Sequence, residues 1–112
     1  MHRVFLDKKV QLEKLDKLLD YACKSPSAGH TQSQEFVVTT KKCLIEQLVK
    51  ATIDQPELKT SKAVIGVISN LERVAKRYGS RGVIRYSWID GAFASMLILL
   101  GLVDEGLGGV LS

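Results

Sequence analysis

The sequence predicts one small domain of mixed helix and strand, ordered helix, strand, helix, strand, helix, and then the start of a further strand. Three observations predict it. The chain has 112 residues, enough for one hydrophobic core and not for two. About 46% of the residues are apolar and 25% charged, with two prolines, the composition of a folded chain rather than a disordered one. Along the chain the apolar residues also alternate between a helical repeat and short β-branched runs.

The first helix is expected over Gln11 to Ala22, where Leu12, Leu15, Leu18, Leu19 and Ala22 make one apolar stripe and Glu13 faces Lys17 a turn later. It ends ahead of Ser25-Pro26-Ser27-Ala28-Gly29, because proline disfavours helical geometry in its predecessor and glycine frees the next turn. Glu35 to Thr40 (EFVVTT) is aromatic and β-branched, hence a strand. Lys41 to Ala51 returns to helical spacing through Leu44, Ile45, Leu48 and Val49. Asp54 to Lys62 contains Pro56 and reads as a loop with room for one helical turn. Ala63 to Ser69 (AVIGVIS) is a strand apolar on both faces, which predicts a central place in a sheet. Ser69 with Glu72, and Ser87 with Asp90, have the spacing of capping boxes at the starts of two further helices.

The most apolar stretch, Gly91 to Val103 (GAFASMLILLGLV), is thirteen residues long, short of the about 18 that a membrane span needs. It is expected as a helix buried on most of its circumference, covered by this chain or by a partner. Leu107 to Leu111 has the makings of a strand start.

The net charge is +4, and since Gly91 to Ser112 carries Asp104 and Glu105 but no base, the first 90 residues hold +6. That sign suits an anionic ligand, and a nucleic-acid-binding reading rests on it alone. Cys23 and Cys43 have no neighbouring ligands at metal spacing and are too few for a disulfide scaffold. They read as free thiols of a reducing compartment, with Cys23, next to the stripe residue Ala22, partly buried. No basic region followed by a long apolar one opens the chain, so a cytoplasmic location is expected. His2 and His30 are too few to imply a metal site, and the glycines at 106, 108 and 109 form neither a dinucleotide fingerprint nor a phosphate loop.

Two features carry chemistry. Ser25 to Gln34 (SPSAGHTQSQ) gathers hydroxyls, an imidazole and amides without a charged side chain, a set able to hydrogen-bond an uncharged polar ring, or else a plain surface loop. Arginines recur every four residues at 73, 77, 81 and 85; they would matter beside a phosphate or a dimer seam, and otherwise form a solvated face.

Four stretches together resemble the flavin-dependent (FMN) nitroreductase family. Arg3-Val4-Phe5 is similar to the end of its opening arginine-serine-x-arginine-x-phenylalanine motif. SPSAGHTQSQEFVVTT, from Ser25 to Thr40, resembles its proline-serine-x-x-asparagine-x-glutamine-proline-tryptophan signature and following strand, with Ser33 and Gln34 standing where the signature has proline and tryptophan. AVIGVIS with ERVAKRYGSRG, and DGAFASMLILLGLVDEGLGGVL from Asp90 to Leu111, resemble a central strand with its connection and the long helix ending in a glycine-leucine-glycine turn.

The resemblance implies an α+β fold, a mostly antiparallel sheet covered by helices with a long buried central helix, built as an intertwined homodimer. It implies a single such domain over residues 1–112, a short or C-terminally truncated member lacking the family's usual C-terminal extension. The implied activity is transfer of two electrons from NADH or NADPH through FMN to a nitroaromatic or quinone-like acceptor. Arg3 would lie by the pyrimidine side of the flavin. Pro26, Ser27 and Ala28 would lie against the ring from the partner subunit, with His30 in the asparagine position and Gln32 keeping the glutamine. Lys8, Lys9 or the arginine series would have to supply the phosphate donors. No side chain is assigned a catalytic role, since the chemistry would be centred on the flavin. Two other readings stay open, a non-catalytic flavin-binding or structural subunit and a basic nucleic-acid-binding protein.

Overall fold

The computed structural model describes residues 1–53 and 55–112. Its helices and strands follow the expected order: α1 (Leu12–Cys23), β1 (Gln34–Thr39), α2 (Lys42–Ala51), α3 (Pro56–Thr60), β2 (Val64–Ser69), α4 (Leu71–Arg81) and α5 (Ser87–Asp104). A 3₁₀ turn at Ala28–His30 precedes β1, and a π-helical turn at Gly82–Tyr86 joins α4 to α5. The loop expected over Asp54 to Lys62 contains α3, with Pro56 in its first turn, where a missing N–H costs nothing; Asp54 itself lies outside the described residues. No strand forms at Leu107 to Leu111.

β1 and β2 pair antiparallel, with Gln34 opposite Ser69 and Thr39 opposite Val64. Among the described residues β2 has β1 as its one strand neighbour, so the strand expected in the centre of a sheet has an unpaired edge here. Its doubly apolar sequence reports that both faces want cover, which is a different property from having a strand on each side. α5 lies against the sheet and α1 against α5. The core is built from Leu15, Leu18 and Ala22 of α1, Ile45 and Val49 of α2, Val74 of α4, and Ala94 and Ile98 of α5.

The α1–α5 contact is close because of Gly101, where a Cβ would stand 2.9 Å from the Leu18 side chain. The junction is finished by polar groups at the end of α5. Tyr21 donates its hydroxyl to Asp104 at 2.8 Å, Lys14 donates to the Glu105 carbonyl at 2.8 Å, and Lys17 pairs with the Glu105 carboxylate at 3.4 Å.

α5 departs from the expected burial. Its covered stripe is Ser87, Asp90, Ala94, Ile98 and Gly101, mostly small or polar side chains, whereas Ile89, Phe93, Met96, Leu100 and Val103 are exposed, as is Trp88. A stretch without lysine or arginine gives no sign of which side this chain covers, and within one chain only part of the expected cover is supplied. The helix is also longer than the thirteen apolar residues. It has 18 residues, and the helical run from Leu71 to Asp104, which Gly79 interrupts with non-helical angles (φ 59°, ψ −143°), holds a window of mean hydropathy 1.6, long and apolar enough by length and composition to cross a membrane. The radius of gyration, 14.8 Å, exceeds the about 13 Å of a compact chain of this length, in keeping with an uncovered face.

Both capping boxes resolve differently from expectation. Asn70 caps α4, its Oδ1 accepting the Arg73 N–H at 3.0 Å, and Ser69 instead exchanges hydrogen bonds with Gln34 across the sheet. Ser87 sits inside a continuous helical path and donates to the Val83 carbonyl at 2.6 Å. Cys23 and Cys43 are both exposed thiols, so Cys23 is not the partly buried group expected from its neighbour; the α1 stripe ends at Ala22.

Candidate functional site

The Ser25–Gln34 segment is a tightly held loop between α1 and β1. The Ser27 carbonyl accepts the His30 N–H at 3.0 Å, and the Ser27 hydroxyl accepts the Gln32 N–H at 2.9 Å. These bonds fold the chain so sharply that Gly29 (φ 55°), His30 (φ 55°) and Gln32 (φ 48°) all occupy the left-handed region. For the two residues with a side chain that geometry costs roughly 1–2 kcal/mol each, and such outliers persist only where surrounding contacts enforce them.

Three contacts from outside the loop do so. Asp90, 2% exposed, accepts the Ala28 N–H through both carboxylate oxygens at 3.1 Å. Arg73 donates to the Gln32 carbonyl at 2.8 Å while its other nitrogen pairs with Glu35 at 3.1 Å. The Arg77 and Tyr78 side chains occupy the space that a Cβ on Gly29 would enter. The loop therefore presents a fixed surface. Its outward side chains include Pro26, His30 and Gln32, all exposed, with no charged group between Lys24 and Glu35. The Thr31 and Ser33 hydroxyls behind it are buried without a hydrogen-bond partner.

Of the site residues expected from sequence, Pro26, Ser27, Ala28, His30 and Gln32 are together on this loop. Arg3 is elsewhere. Its guanidinium donates to Glu57 of α3 at 3.2 Å, leaving the Arg3 side chain mostly in solvent and the Glu57 carboxylate buried. No hydrogen bond or ion pair among the described residues links Arg3 to the loop. Next to this N-terminal segment a cavity of about 950 Å³ runs between α1, β2, α5 and the tail, lined by apolar residues such as Phe5, Leu15, Ile65, Leu99 and Leu107. None of the loop residues lines it. Lys62 pairs with Asp7 at 2.6 Å near this segment, and that hydrogen bond and charge hold the Asp7 carboxyl below its ordinary pKa.

The anchoring residues Asp90, Arg73, Arg77 and Tyr78 were not expected at this site. The four-residue arginine spacing marks Arg73 and Arg77 as able to share one helix face, but nothing in the sequence indicates that this face meets the loop. Asp90 had been assigned to capping its own helix.

The fold is α+β, with a small antiparallel sheet covered by helices. Over 92% of its length it superimposes on 58% of a candidate NADH oxidase from Clostridium acetobutylicum, with 31% identity and a TM-score of 0.79. Over 95% it superimposes on 57% of an FMN-dependent nitroreductase from Clostridium difficile, with 28% identity and a TM-score of 0.77. Nitroreductase A from Vibrio parahaemolyticus shares the fold at 20% identity, with a TM-score of 0.83, 96% of this chain and 48% of that one being covered. No curated protein matches the chain. Residues 1–77 match the nitroreductase family, and the chain belongs to it, spanning somewhat over half the length of the first two structures.

Proposed function

We propose that the chain is an FMN-dependent NAD(P)H oxidoreductase that works as a homodimer. The observation that carries this reading is the Pro26–Gln32 loop, fixed in strained geometry by Asp90 and Arg73 and bearing only uncharged donors and acceptors. Such a set matches the carbonyl and nitrogen edge of an isoalloxazine ring, which needs directional hydrogen bonds and no opposing charge. When bound, FMN supplies acceptance of a hydride from NADH or NADPH and delivery of two electrons to a nitroaromatic or quinone-like acceptor. The chain's own part is to hold the ring: His30 and Gln32 by hydrogen bonds, Pro26, Ser27 and Ala28 by contact with its face, and Arg3 as a cation favouring the anionic reduced form.

Within one chain Arg3 and the loop are separate, so this assignment draws them from two subunits. The uncovered row Ile89, Phe93, Met96, Leu100 and Val103 supports the second copy. Its three-and-four spacing is that of a helix seam, and a row of large apolar side chains in water marks an interface. The exposed thiols suit the reducing cytoplasm.

The test is to purify the protein, release any chromophore by denaturation, titrate the colourless form with FMN, and follow NADPH oxidation with a quinone present. Flavin uptake with steady turnover is expected. Uptake without turnover assigns the chain to a non-catalytic flavin-binding role. Protein that takes up no FMN overturns both.

A further inference from the structure

α4 carries more positive charge than the loop uses. Arg73 is committed to Gln32 and Glu35. Arg77 and Arg81 have no carboxylate within ion-pair distance among the described residues. Their guanidinium groups lie instead against aromatic rings, Arg77 at 5.8 Å from the Tyr78 centroid, and Arg81 at 5.8 Å from Tyr78 and 5.6 Å from Tyr86.

The arrangement is built by the backbone. Gly79 breaks α4 and the π-helical turn brings Tyr86 back against Tyr78, edge to face at 4.8 Å. The lack of a side chain at Gly29 then lets Arg77 and Tyr78 reach the loop. Two like charges gathered at one ring repel each other, and a ring quadrupole compensates only in part. An anion would convert that repulsion into attraction, and the planar guanidinium fork matches phosphate oxygens two at a time.

We propose that Arg77 and Arg81 bind a phosphoryl group of the reducing dinucleotide beside the flavin loop. The inference rests on the oxidoreductase reading for the identity of the ligand. Two phosphoryl sources share the chemistry, the 2′-phosphate that only NADPH carries and the pyrophosphate common to NADPH and NADH.

The test is equilibrium titration of the full chain with 2′,5′-ADP and with 5′-ADP, without flavin, for the wild type and for Arg77→Gln, Arg81→Gln and Arg85→Gln. Arg85 is exposed like the others and stacks on neither ring, so its variant controls for general loss of charge. Arg77→Gln and Arg81→Gln are each expected to weaken binding about tenfold, with Arg85→Gln close to wild type. Loss confined to 2′,5′-ADP assigns the 2′-phosphate, and equal loss for both ligands assigns the 5′-phosphoryl group that the two share, which is the adenosine-side half of the dinucleotide pyrophosphate. Unchanged affinity in the Arg77 and Arg81 variants, or an equal loss in Arg85→Gln, overturns the proposal. Because no flavin is present, phosphate binding by protein that takes up no FMN would sink the oxidoreductase reading alone, while flavin uptake with arginine-independent binding would sink this site alone.

Discussion

Both carboxylate oxygens of Asp90, in the first turn of α5 and on its covered face, lie 3.1 Å from the backbone nitrogen of Ala28. A buried carboxylate on the longest helix is thereby tied to the loop proposed to hold the flavin. Asp90→Ala should cost about 2 kcal/mol, the value of a hydrogen bond to a charged group. Asp90→Asn keeps an acceptor and should lose less. Urea denaturation measures the cost, and amide exchange over residues 27–32 should quicken in the alanine variant.

Gly29 combines a left-handed backbone with contact from Arg77 and Tyr78. Gly29→Ala should destabilise by about 1–3 kcal/mol through overpacking and should move the loop. Thermal melts with and without FMN distinguish the two effects, since displacement of the loop lowers the shift that FMN produces as well as the starting Tm.

The exposed row on α5 predicts a dimer that one charge dissolves. Leu100→Glu places a carboxylate in the seam at a position with no role in this chain's own core. Light scattering after gel filtration should give a dimer for the wild type and a monomer for the variant, with unchanged helical circular dichroism. A monomeric wild type that instead sediments with lipid vesicles would assign the row to a membrane surface.

The Tyr21 hydroxyl is pushed above its ordinary pKa by its hydrogen bond to Asp104 and by that carboxylate's charge. A raised pKa means that the contact stabilises the fold fully below the unfolded tyrosine pKa of about 10 and is lost as pH rises through the higher folded value. Stability of the wild type should fall in that alkaline range more than that of Tyr21→Phe, as followed by denaturant midpoints at stepped pH. The Asp7–Lys62 pair has the opposite sign. With Asp7 lowered, its contribution is present above the unfolded carboxyl pKa of about 4 and disappears as pH falls through the folded value. Both groups lie at the surface, so both effects are small and salt-sensitive.

Local pattern carried most of the secondary structure. The α1 stripe, the two strands, α2 and the apolar helix fall within a few residues of their expected ranges because helical and strand periodicities are written in neighbouring side chains. The uncharged polar loop was legible for a similar reason, as a run of ten residues with one character. Motif order across the whole chain supplied the family, now shown over residues 1–77.

What only the tertiary structure decided were relationships between distant residues. Asp90 and Ala28 are 62 positions apart, Arg73 and Gln32 are 41 apart, and no periodicity encodes such a pairing. Burial on α5 was hidden because every face of that helix is nearly uncharged, so hydropathy said that it wants cover without saying which side this chain covers. The packing answers that: the small and polar residues admit the sheet and α1 closely, and the large apolar ones are left for another surface. Sequence thus determined which elements form and which family they compose. The tertiary structure determined that α4 and α5 hold the loop, because that depends on where packed helices come to rest.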